Sequence, residues 1–538
     1  MRSSKLAGCA MALAIAWSSG FAIGQSGGAT GQQAPPTFHV TSKLVFLDVT
    51  VLDRKGRPVV TGLTKDDFLI TEDRRPQQIF SFEPPNVHTL NAAGENPEGK
   101  APVTILVLDE LNSRWEDFAY NRGEVQRYLN SQPKELASPT EMLIVGQESL
   151  ELVQGFTRDR QELLDALKHI PPALPYKQMG GGGFVPERIH QSFDALEQIA
   201  LESQGIPGRK NIIWVGHGGP RINTAFLPTQ VSTALLQYAH SVTNMLVDSR
   251  ITLFVLYPGL RVNEPSLDNP VMDAAFDPGD NDLFGAKGDV NFGIFADETG
   301  GKLFFNRNNI DAMIRDAERM GSEYYTLTYQ PHGGNDDGRF RRIHVTMRDP
   351  NLRAVTKIGY YAPDRNAPAD PMQQRIQSMV EAVQATVPFH ALPVSLSDVL
   401  RHPDADTTEV LLQVQTKDLH WLPNDDGTSA TKLLVATAAL NQYRDILKMR
   451  AQTMTWTART QDPVLINQQL PLTLDLTIPA TKKTRSIRIA VETENGGRVG
   501  AVEVSRALIN AAPAVPTPQP HLAGPRPGSV PASLATPR

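Results

Sequence analysis

The stretch Val103-Thr-Ile-Leu-Val-Leu-Asp109-Glu-Leu-Asn-Ser113 decides the fold of this chain. Its first six residues are mostly apolar and rich in β-branched side chains, and the run ends abruptly in an acid. Such a run is typical of a strand buried on both faces, as in a parallel sheet covered by helices. Polar side chains just past the carboxyl end of such a strand lie where open α/β sheets bind ligands. Asp109, Glu110, Asn112 and Ser113 are therefore candidate binding residues.

Strand-like runs alternate with helical patterns from residue 102 to residue 321. This alternation predicts an α/β domain with a doubly wound, mostly parallel sheet. The predicted strands are Ile105–Leu108, Met142–Val145, Ile212–Val215 and Ile251–Tyr257. The predicted apolar helix faces are Leu163/Leu164/Leu167/Ile170, Ile189/Phe193/Leu196/Ile199 and Ile310/Met313/Ile314/Ala317/Met320.

The segments that flank this domain, residues 38–90 and 322–363, have β character. Alternating residues and turn signals predict one hairpin between residues 67–73 and 78–82. They predict a second hairpin between 324–329 and 342–348, followed by a strand over 354–361. Because each segment has too few strands to be stable alone, we expect both to form one β-sandwich into which the α/β domain is inserted.

The carboxyl-terminal part of the chain returns to β patterns after a helix. Residues 372–386 have helical spacing, with Ile376, Met379, Val380 and Val383 on one face. Short strand-like runs then continue to about residue 510 and predict an Ig-like β-sandwich over residues 372–510. Residues 511–538 are rich in Pro and Ala, which predicts a disordered tail.

The amino terminus has the pattern of an export signal. Residues 1–24 combine early positive charge, an apolar core of about twelve residues and a small-residue cleavage pattern, which predicts a cleavable signal peptide. Residues 25–37 are predicted to be a flexible leader. The apolar core is too short to cross a membrane, so we expect a secreted or periplasmic protein without a transmembrane segment in the mature chain. Cys9 is the single cysteine, so the mature chain has no disulfide.

Composition and motifs exclude several classes of function. The formal net charge is −6 over 538 residues, and no long basic run is present, which argues against a nucleic-acid partner. The sequence contains no Gly-x-Ser-x-Gly and no His-Glu-x-x-His, and no cysteine nucleophile follows the signal peptide. We therefore predict a non-enzymatic protein that binds a protein partner.

Several stretches of the chain carry a resemblance to a known family. They are Asp53-Arg-Lys-Gly-Arg-Pro-Val-Val-Thr-Gly-Leu63, Asp66-Asp-Phe68, Phe295-Ala-Asp-Glu-Thr-Gly-Gly-Lys-Leu-Phe-Phe305, Asn309-Ile-Asp311, Tyr324-Tyr-Thr-Leu-Thr-Tyr329 and Ile358-Gly-Tyr-Tyr361. Together they resemble the von Willebrand factor type A-related proteins described mainly from Acidobacteria, over roughly residues 38–363. The resemblance implies a von Willebrand A-like domain more than it implies an activity.

Most metal-binding domains of this type hold a cation with an Asp-x-Ser-x-Ser loop, a Thr and a second Asp, because Mg²⁺ prefers oxygen ligands. Asp109 and Ser113 match the first loop, but Leu111 replaces its middle Ser. A glycine run that includes Gly182 and Gly183 stands where the Thr is expected, and His217 stands in place of the second Asp. The resemblance thus implies a degenerate adhesion site with no cofactor, or with weakly bound Mg²⁺ or Ca²⁺.

Two interpretations of these residues remain open. Asp109 can cap the following helix or a neighbouring loop N–H, and the partner-binding residues are then Asp109, Glu110, Asn112, Ser113, Gly182, Gly183 and His217. The alternative function is a metal-dependent receptor or a metal-assisted hydrolase that uses Asp109, Ser113 and His217.

Overall fold

The structure is a computed structural model. The described residues are 44–90, 100–113, 115–146, 149–170, 184–203, 206–216, 218, 228–258, 292–307, 309–331, 337–362, 371–387, 389, 391–419, 421–468, 471–493 and 498–515. The predicted signal peptide and leader, Gly182, Gly183, His217 and the tail beyond residue 515 lie outside them.

The elements follow the alternation that the sequence predicts, with additional strands at the domain edges. The strands are β1 Val45–Leu52, β2 Phe68–Glu72, β3 Arg75–Gln77, β4 Ile79–Glu83, β5 Val103–Asp109, β6 Glu135–Val145, β7 Leu150–Asp159, β8 Lys210–Val215, β9 Ile251–Pro258, β10 Lys302–Arg307, β11 Tyr325–Tyr329, β12 Phe340–Met347, β13 Arg353–Val355, β14 Gly359–Tyr361, β15 Val394–His402, β16 Thr407–Val414, β17 Leu422–Pro423, β18 Ser429–Leu440, β19 Ile446–Ala458, β20 Leu472–Pro479, β21 Ser486–Thr493 and β22 Val499–Ser505. The helices are α1 Trp115–Ser131, α2 Arg160–His169, α3 Phe184–Glu202, α4 Thr229–Asp248, α5 Phe292–Glu298, α6 Ile310–Ser322, α7 Pro371–Gln384, α8 Pro463–Asn467 and α9 Arg506–Ala511.

A six-stranded sheet with the order β10-β9-β8-β5-β6-β7 lies at the centre of the described α/β region. Its strands pair in parallel, except that β7 runs antiparallel to β6 at one edge. Helices α1, α2 and α6 contribute to the apolar core on one face, and α3, α4 and α5 contribute to the core on the other. Every residue of β5 after Val103 is buried because both faces are covered. The predicted strand at this position is confirmed.

The predicted helix faces lie against this sheet. Leu163 and Leu167 of α2 and Met313 of α6 are buried in one core, as the spacing predicts. Phe193 and Leu196 of α3 are buried in the other core. The helical spacing of apolar residues predicts their burial correctly, because each helix packs its apolar face against the apolar side chains of the sheet.

Two four-stranded antiparallel sheets combine strands from both flanking segments. Their orders are β13-β1-β11-β4 and β14-β12-β2-β3. Strand β1 pairs with β11, and β2 pairs with β12, across more than 250 positions of sequence. Side chains of both sheets, such as Val49, Ile70 and Leu327, share one apolar core. The segments before and after the α/β region therefore depend on each other for burial.

Both predicted hairpins of the flanking segments are wrong. Residues 68–72 pair with the short strand β3, whereas β4 crosses to the opposite sheet and pairs with β11. Strands β11 and β12 likewise lie in different sheets, and the predicted strand over 354–361 is divided into β13 and β14, one in each sheet. Alternation predicts which side chains face a core, but a turn can lead to either sheet of a sandwich.

The carboxyl-terminal strands form two further antiparallel sheets. One has the order β15-β16-β20, and the other joins β19, β18, β21 and β22, with β17 paired to the beginning of β18. Their facing side chains make one core. Helix α7 is confirmed within two residues of its predicted bounds, but Ile376 on its predicted apolar face is 38% exposed. The core residues Met379 and Val383 of this helix continue into the core of the α/β region.

The predicted boundary of the disordered tail at residue 511 is wrong for its first residues. Helix α9 continues to Ala511, and Ala514 forms a parallel bridge with Arg401 of β15. The backbone N–H of Val515 also donates to the carbonyl of Arg401 at 2.8 Å. Composition did not predict this contact, because the backbone groups of an edge strand can pair with a segment of any composition.

Among the described helices, none is long and apolar enough to span a bilayer.

Candidate functional site

The candidate site lies at the carboxyl end of β5, where the chain changes direction within the sheet. From β5 the chain passes through α1 to β6 on one side, and it later returns as β8 on the other side. Open α/β sheets bind ligands in the crevice at such a switch point. Asp109 ends β5, and Gly216 follows β8 at the same edge.

The Asp109 carboxylate is completely buried and is surrounded by protein donors. Oδ1 accepts the backbone N–H of Asn112 at 2.9 Å and its side-chain amide at 3.1 Å. Oδ2 accepts the indole N–H of Trp214 at 3.1 Å and the backbone N–H of Gly218 at 2.7 Å. An ionised carboxylate offers about four lone-pair positions. These N–H groups therefore occupy the positions through which Asp109 would bind a cation, and they join the ends of β5 and β8.

Trp214 was not singled out by the sequence analysis, although it is central to this network. It lies in β8, has no exposed surface, and packs its ring on Phe292 at a centroid distance of 4.6 Å. A buried indole N–H needs an acceptor. A tryptophan that follows two isoleucines in a buried strand was therefore the available signal that a buried acceptor lies close to β8.

Gly216 and Gly218 each leave no room for a side chain, but different neighbours exclude it. A Cβ on Gly216, which has φ +146°, would stand 2.4 Å from the Cβ of Asp109. A Cβ on Gly218, which has φ +73°, would stand 2.3 Å from the ring of Phe292. The absence of a Cβ thus allows the backbone of Gly216 to approach Asp109 and that of Gly218 to approach Phe292.

Asn112 connects this network to helix α3. Its side-chain amide N–H donates to the Ser192 hydroxyl at 3.0 Å, and its carbonyl Oδ1 accepts Nε and Nη2 of Arg188 at 3.1 and 3.0 Å. Arg188 and Ser192 are four residues apart and therefore share one face of α3. Neither was predicted, because nothing local in the sequence relates that face to residue 112.

The remaining candidates of the first loop have separate environments. Leu111 is 1% exposed and belongs to the core, so it faces away from any ligand. The Ser113 hydroxyl is buried and makes no hydrogen bond in the described structure. Burial, followed by the charge of Glu151, raises the pKa of Glu110. Within the described residues, no group of three or more His, Cys, Asp or Glu side chains could hold a metal ion.

Comparisons with known proteins give weak likenesses. No family model matches the chain, and no curated protein matches it. An aerotolerance-related membrane protein from Bacteroides fragilis NCTC 9343 is 15% identical, with 41% of this chain and 98% of that chain covered at a TM-score of 0.25. Proximal thread matrix protein 1 from the mussel byssus is 13% identical, with 30% and 38% covered at a TM-score of 0.19. The VWA domain of SpRpn10 is 16% identical, with 30% and 76% covered at a TM-score of 0.19. Likenesses at this level support no conclusion about function.

Proposed function

We propose that this chain is an exported, non-enzymatic interaction protein whose von Willebrand A-like domain binds a protein partner at the carboxyl edge of its central sheet. The family resemblance of the sequence and the switch point beside Asp109 support this location for the site. Glu110, which is partly exposed, contacts the partner, whereas Asn112 and Ser113 are buried and shape this edge. The family resemblance implies three further binding residues, Gly182, Gly183 and His217.

One observation carries the proposal, namely the number of N–H donors around Asp109. A hard dication needs carboxylate oxygens with free lone pairs, and the donors from Asn112, Trp214 and Gly218 already use those of Asp109. Partner recognition at this edge then proceeds without a resident metal ion. The carboxyl-terminal sandwich acts as an Ig-like spacer module, and the predicted signal peptide directs export.

The first test is a thermal-shift titration of the mature protein with Mg²⁺, Mn²⁺ and Ca²⁺. A cation that bound the native state at one hundred times its Kd would add about 2.7 kcal/mol of stability and raise the Tm. We expect no cation-dependent shift in the wild type or in Asp109→Asn. The partner itself would be sought by crosslinking in the native cell envelope, with Glu110→Ala as the variant that reduces capture.

A second candidate function, a metal-dependent receptor or metal-assisted hydrolase, has one observation in its favour. The Ser113 hydroxyl beside the site is buried without a hydrogen bond, as a ligand position would be before a cation arrives. A cation-dependent rise in Tm that Asp109→Asn abolishes would favour this candidate, with Ser113 and His217 as the further ligands.

A further inference from the structure

Helix α7 and the residues after it fasten the carboxyl-terminal sandwich to the α/β region. The backbone N–H of Thr386 donates to Oε1 of Gln198 on α3 at 3.1 Å, and the Thr386 hydroxyl donates to the carbonyl of Leu150. Met379 and Val383 of α7 share an apolar core with α3. We call this contact between α3, α7 and β21 the junction.

Two carboxyl groups are buried at the junction without a donor. Glu141 of β6 and Glu202, the last residue of α3, are 0% and 1% exposed. None of their four oxygens accepts a hydrogen bond from an N–H or hydroxyl group of the described residues. The charge of Glu141 raises the pKa of Glu202, so the two carboxyl groups lie close to each other. Since burial of an unpaired carboxylate is costly and the described residues supply no donor, the pair holds at least one proton in the closed junction.

The three nearby arginines share two other carboxylates, so Arg488 favours ionisation of Glu202 less than burial and Glu141 oppose it. Arg488 of β21 acts on the charge of Glu202, but its guanidinium pairs with Glu503 at 3.2 Å and also donates to the carbonyls of Ala382 and Val387. The other nearby arginines are likewise paired, Arg444 with Glu503 and Arg375 with Glu492.

Like charges also face each other where α3 meets α7. Burial, and then the charge of Glu381 on α7, raises the pKa of Glu197 on α3 to about 7. Asp194, one turn earlier on α3, adds to this effect, whereas the Tyr238 hydroxyl opposes it. Ionisation of these groups at higher pH therefore sets negative charge on both sides of the junction.

Among the carboxyl groups of the junction, burial opposes ionisation most strongly at Glu141 and Glu202. Burial raises the pKa of Glu141 from 4.5 to about 8, and burial together with Glu141 raises the pKa of Glu202 well above its ordinary value. In an opened, hydrated junction both groups return toward their ordinary values. The closed junction thus binds a proton that the open one releases between pH 4.5 and about 8, so closure weakens as pH rises through that window.

We propose that the junction is a pH-dependent contact, closed when Glu141 and Glu202 share a proton and opened when both are ionised. Opening exposes the apolar side chains of α7, including Met379 and Val383, and frees α3 at the end that carries Glu202. The amino-terminal part of the same helix holds Asn112 through Arg188 and Ser192.

The test is hydrogen exchange of the full mature chain between pH 5.5 and pH 8.5. The reporter is the Thr386 amide, whose hydrogen bond to Gln198 crosses the junction. Protection factors remove the intrinsic pH dependence of exchange. For release of one proton we expect wild-type protection to fall up to about tenfold per pH unit. In the double variant Glu141→Gln/Glu202→Gln, which keeps the shape and removes both ionisations, we expect a smaller fall that reflects only Glu197.

Glu318→Gln is the matched control. Burial raises the pKa of Glu318 to about 7, but this side chain hydrogen-bonds to Tyr128 on the opposite face of the sheet. The control should therefore keep the wild-type pH dependence at Thr386. Wild-type protection that is independent of pH, or a fall in the double variant equal to that of the wild type, overturns the proposal. Restoration of protection at pH 8.5 by a divalent cation would also overturn it, because the pair would then be a cation site.

Discussion

At the scale of single residues, the carboxylate of Asp109 accepts hydrogen bonds that join the ends of β5 and β8. Its acceptor positions receive N–H groups from Asn112, Trp214 and Gly218, which come from two strand ends. The sequence shows that an acid follows the central strand, but it does not show which groups hydrogen-bond to that acid. The N–H donors around the carboxylate, and not its residue type alone, decide its chemistry.

Trp214→Phe should lower the free energy of unfolding by about 1–2 kcal/mol, because it removes one hydrogen bond from a buried carboxylate while keeping a ring against Phe292. Urea denaturation measures the change. Trp456→Phe on the edge strand β19 is the comparison, since that side chain is half-buried. Equal losses in the two variants would mean that the bond to Asp109 contributes nothing beyond ring size.

Gly216→Ala should destabilise the protein more than Gly56→Ala. Both positions have positive φ, but a Cβ on Gly216 meets Asp109 whereas one on Gly56 has nothing within 4 Å. Backbone strain alone costs about 1–2 kcal/mol, so we expect that loss for Gly56→Ala and a larger one for Gly216→Ala. Thermal unfolding of the two variants compares them, and similar losses would leave the close approach to Asp109 without energetic weight.

At the scale of elements, helix α3 spans the distance between the candidate site and the junction. It is 19 residues long, which corresponds to roughly 28 Å of rise. Arg188 and Ser192 near its beginning hold Asn112, and Glu202 ends it beside Glu141. Its predicted apolar face is confirmed, whereas the polar residues that define its role lie on other faces.

One histidine of β15 also holds the segment that ends at Val515. His402 bonds through Nε2 to Glu409 and through Nδ1 to the carbonyl of Val515, each at 3.0 Å. The hydrogen bond to Glu409 is the largest cause that raises the pKa of His402. Both ring nitrogens donate only in the protonated form. The stabilisation is therefore fully present below the ordinary value of 6.5 and is lost as pH rises through the raised pKa.

We therefore expect hydrogen-exchange protection of the Val515 amide to decrease with rising pH in the wild type. His402→Gln should be weakly protected at every pH, because it removes the titrating group. His344→Gln, at an exposed position of β12, is the control and should behave as the wild type. Retention of the pH dependence in His402→Gln would assign it to another group.

At the scale of the whole molecule, the α/β region has two contacts of opposite electrostatic character. Toward the flanking sandwich, Asp48 of β1 pairs with Arg250 at the beginning of β9, and Arg250 also donates to Thr326. Toward the carboxyl-terminal sandwich lies the carboxyl pair Glu141 and Glu202. Ionisation of Asp48 stabilises the first contact, whereas ionisation of Glu141 and Glu202 destabilises the second. The stabilities of the two contacts therefore change in opposite directions with pH.

Asp48→Asn should lower the free energy of unfolding by about 2 kcal/mol at neutral pH, because it leaves Arg250 without its partly buried partner. Burial acts to raise the pKa of Asp48, but Arg250 and Arg209 bring it below 3.8 overall. The stabilisation is thus present above pH 3.8 and disappears as pH falls through the lowered pKa. Chemical denaturation from pH 7 to pH 2 should show the wild type converging on the variant. The exposed pair variant Asp165→Asn should change little, and a constant difference at all pH values would contradict the ion-pair explanation.

Most of the architecture could be predicted from local patterns, and most of the site could not. The apolar run that becomes β5 and the stripe of Met313 and Ala317 on α6 are encoded within a few residues. The hairpin between β2 and β4 failed for the same reason, since alternation states that a face is buried but does not state against which sheet.

The sequence by itself determined several strands and helices of the central region, which of their faces are apolar, and that an acid ends the central strand. Only the tertiary structure decided that Asp109 meets Trp214 and Gly218, that Arg188 holds Asn112, and that Glu141 and Glu202 are buried close to each other. The physical reason is one of range. Hydrophobic periodicity acts between neighbouring residues, whereas the pairing of buried polar groups depends on which distant segments packing brings within hydrogen-bond distance.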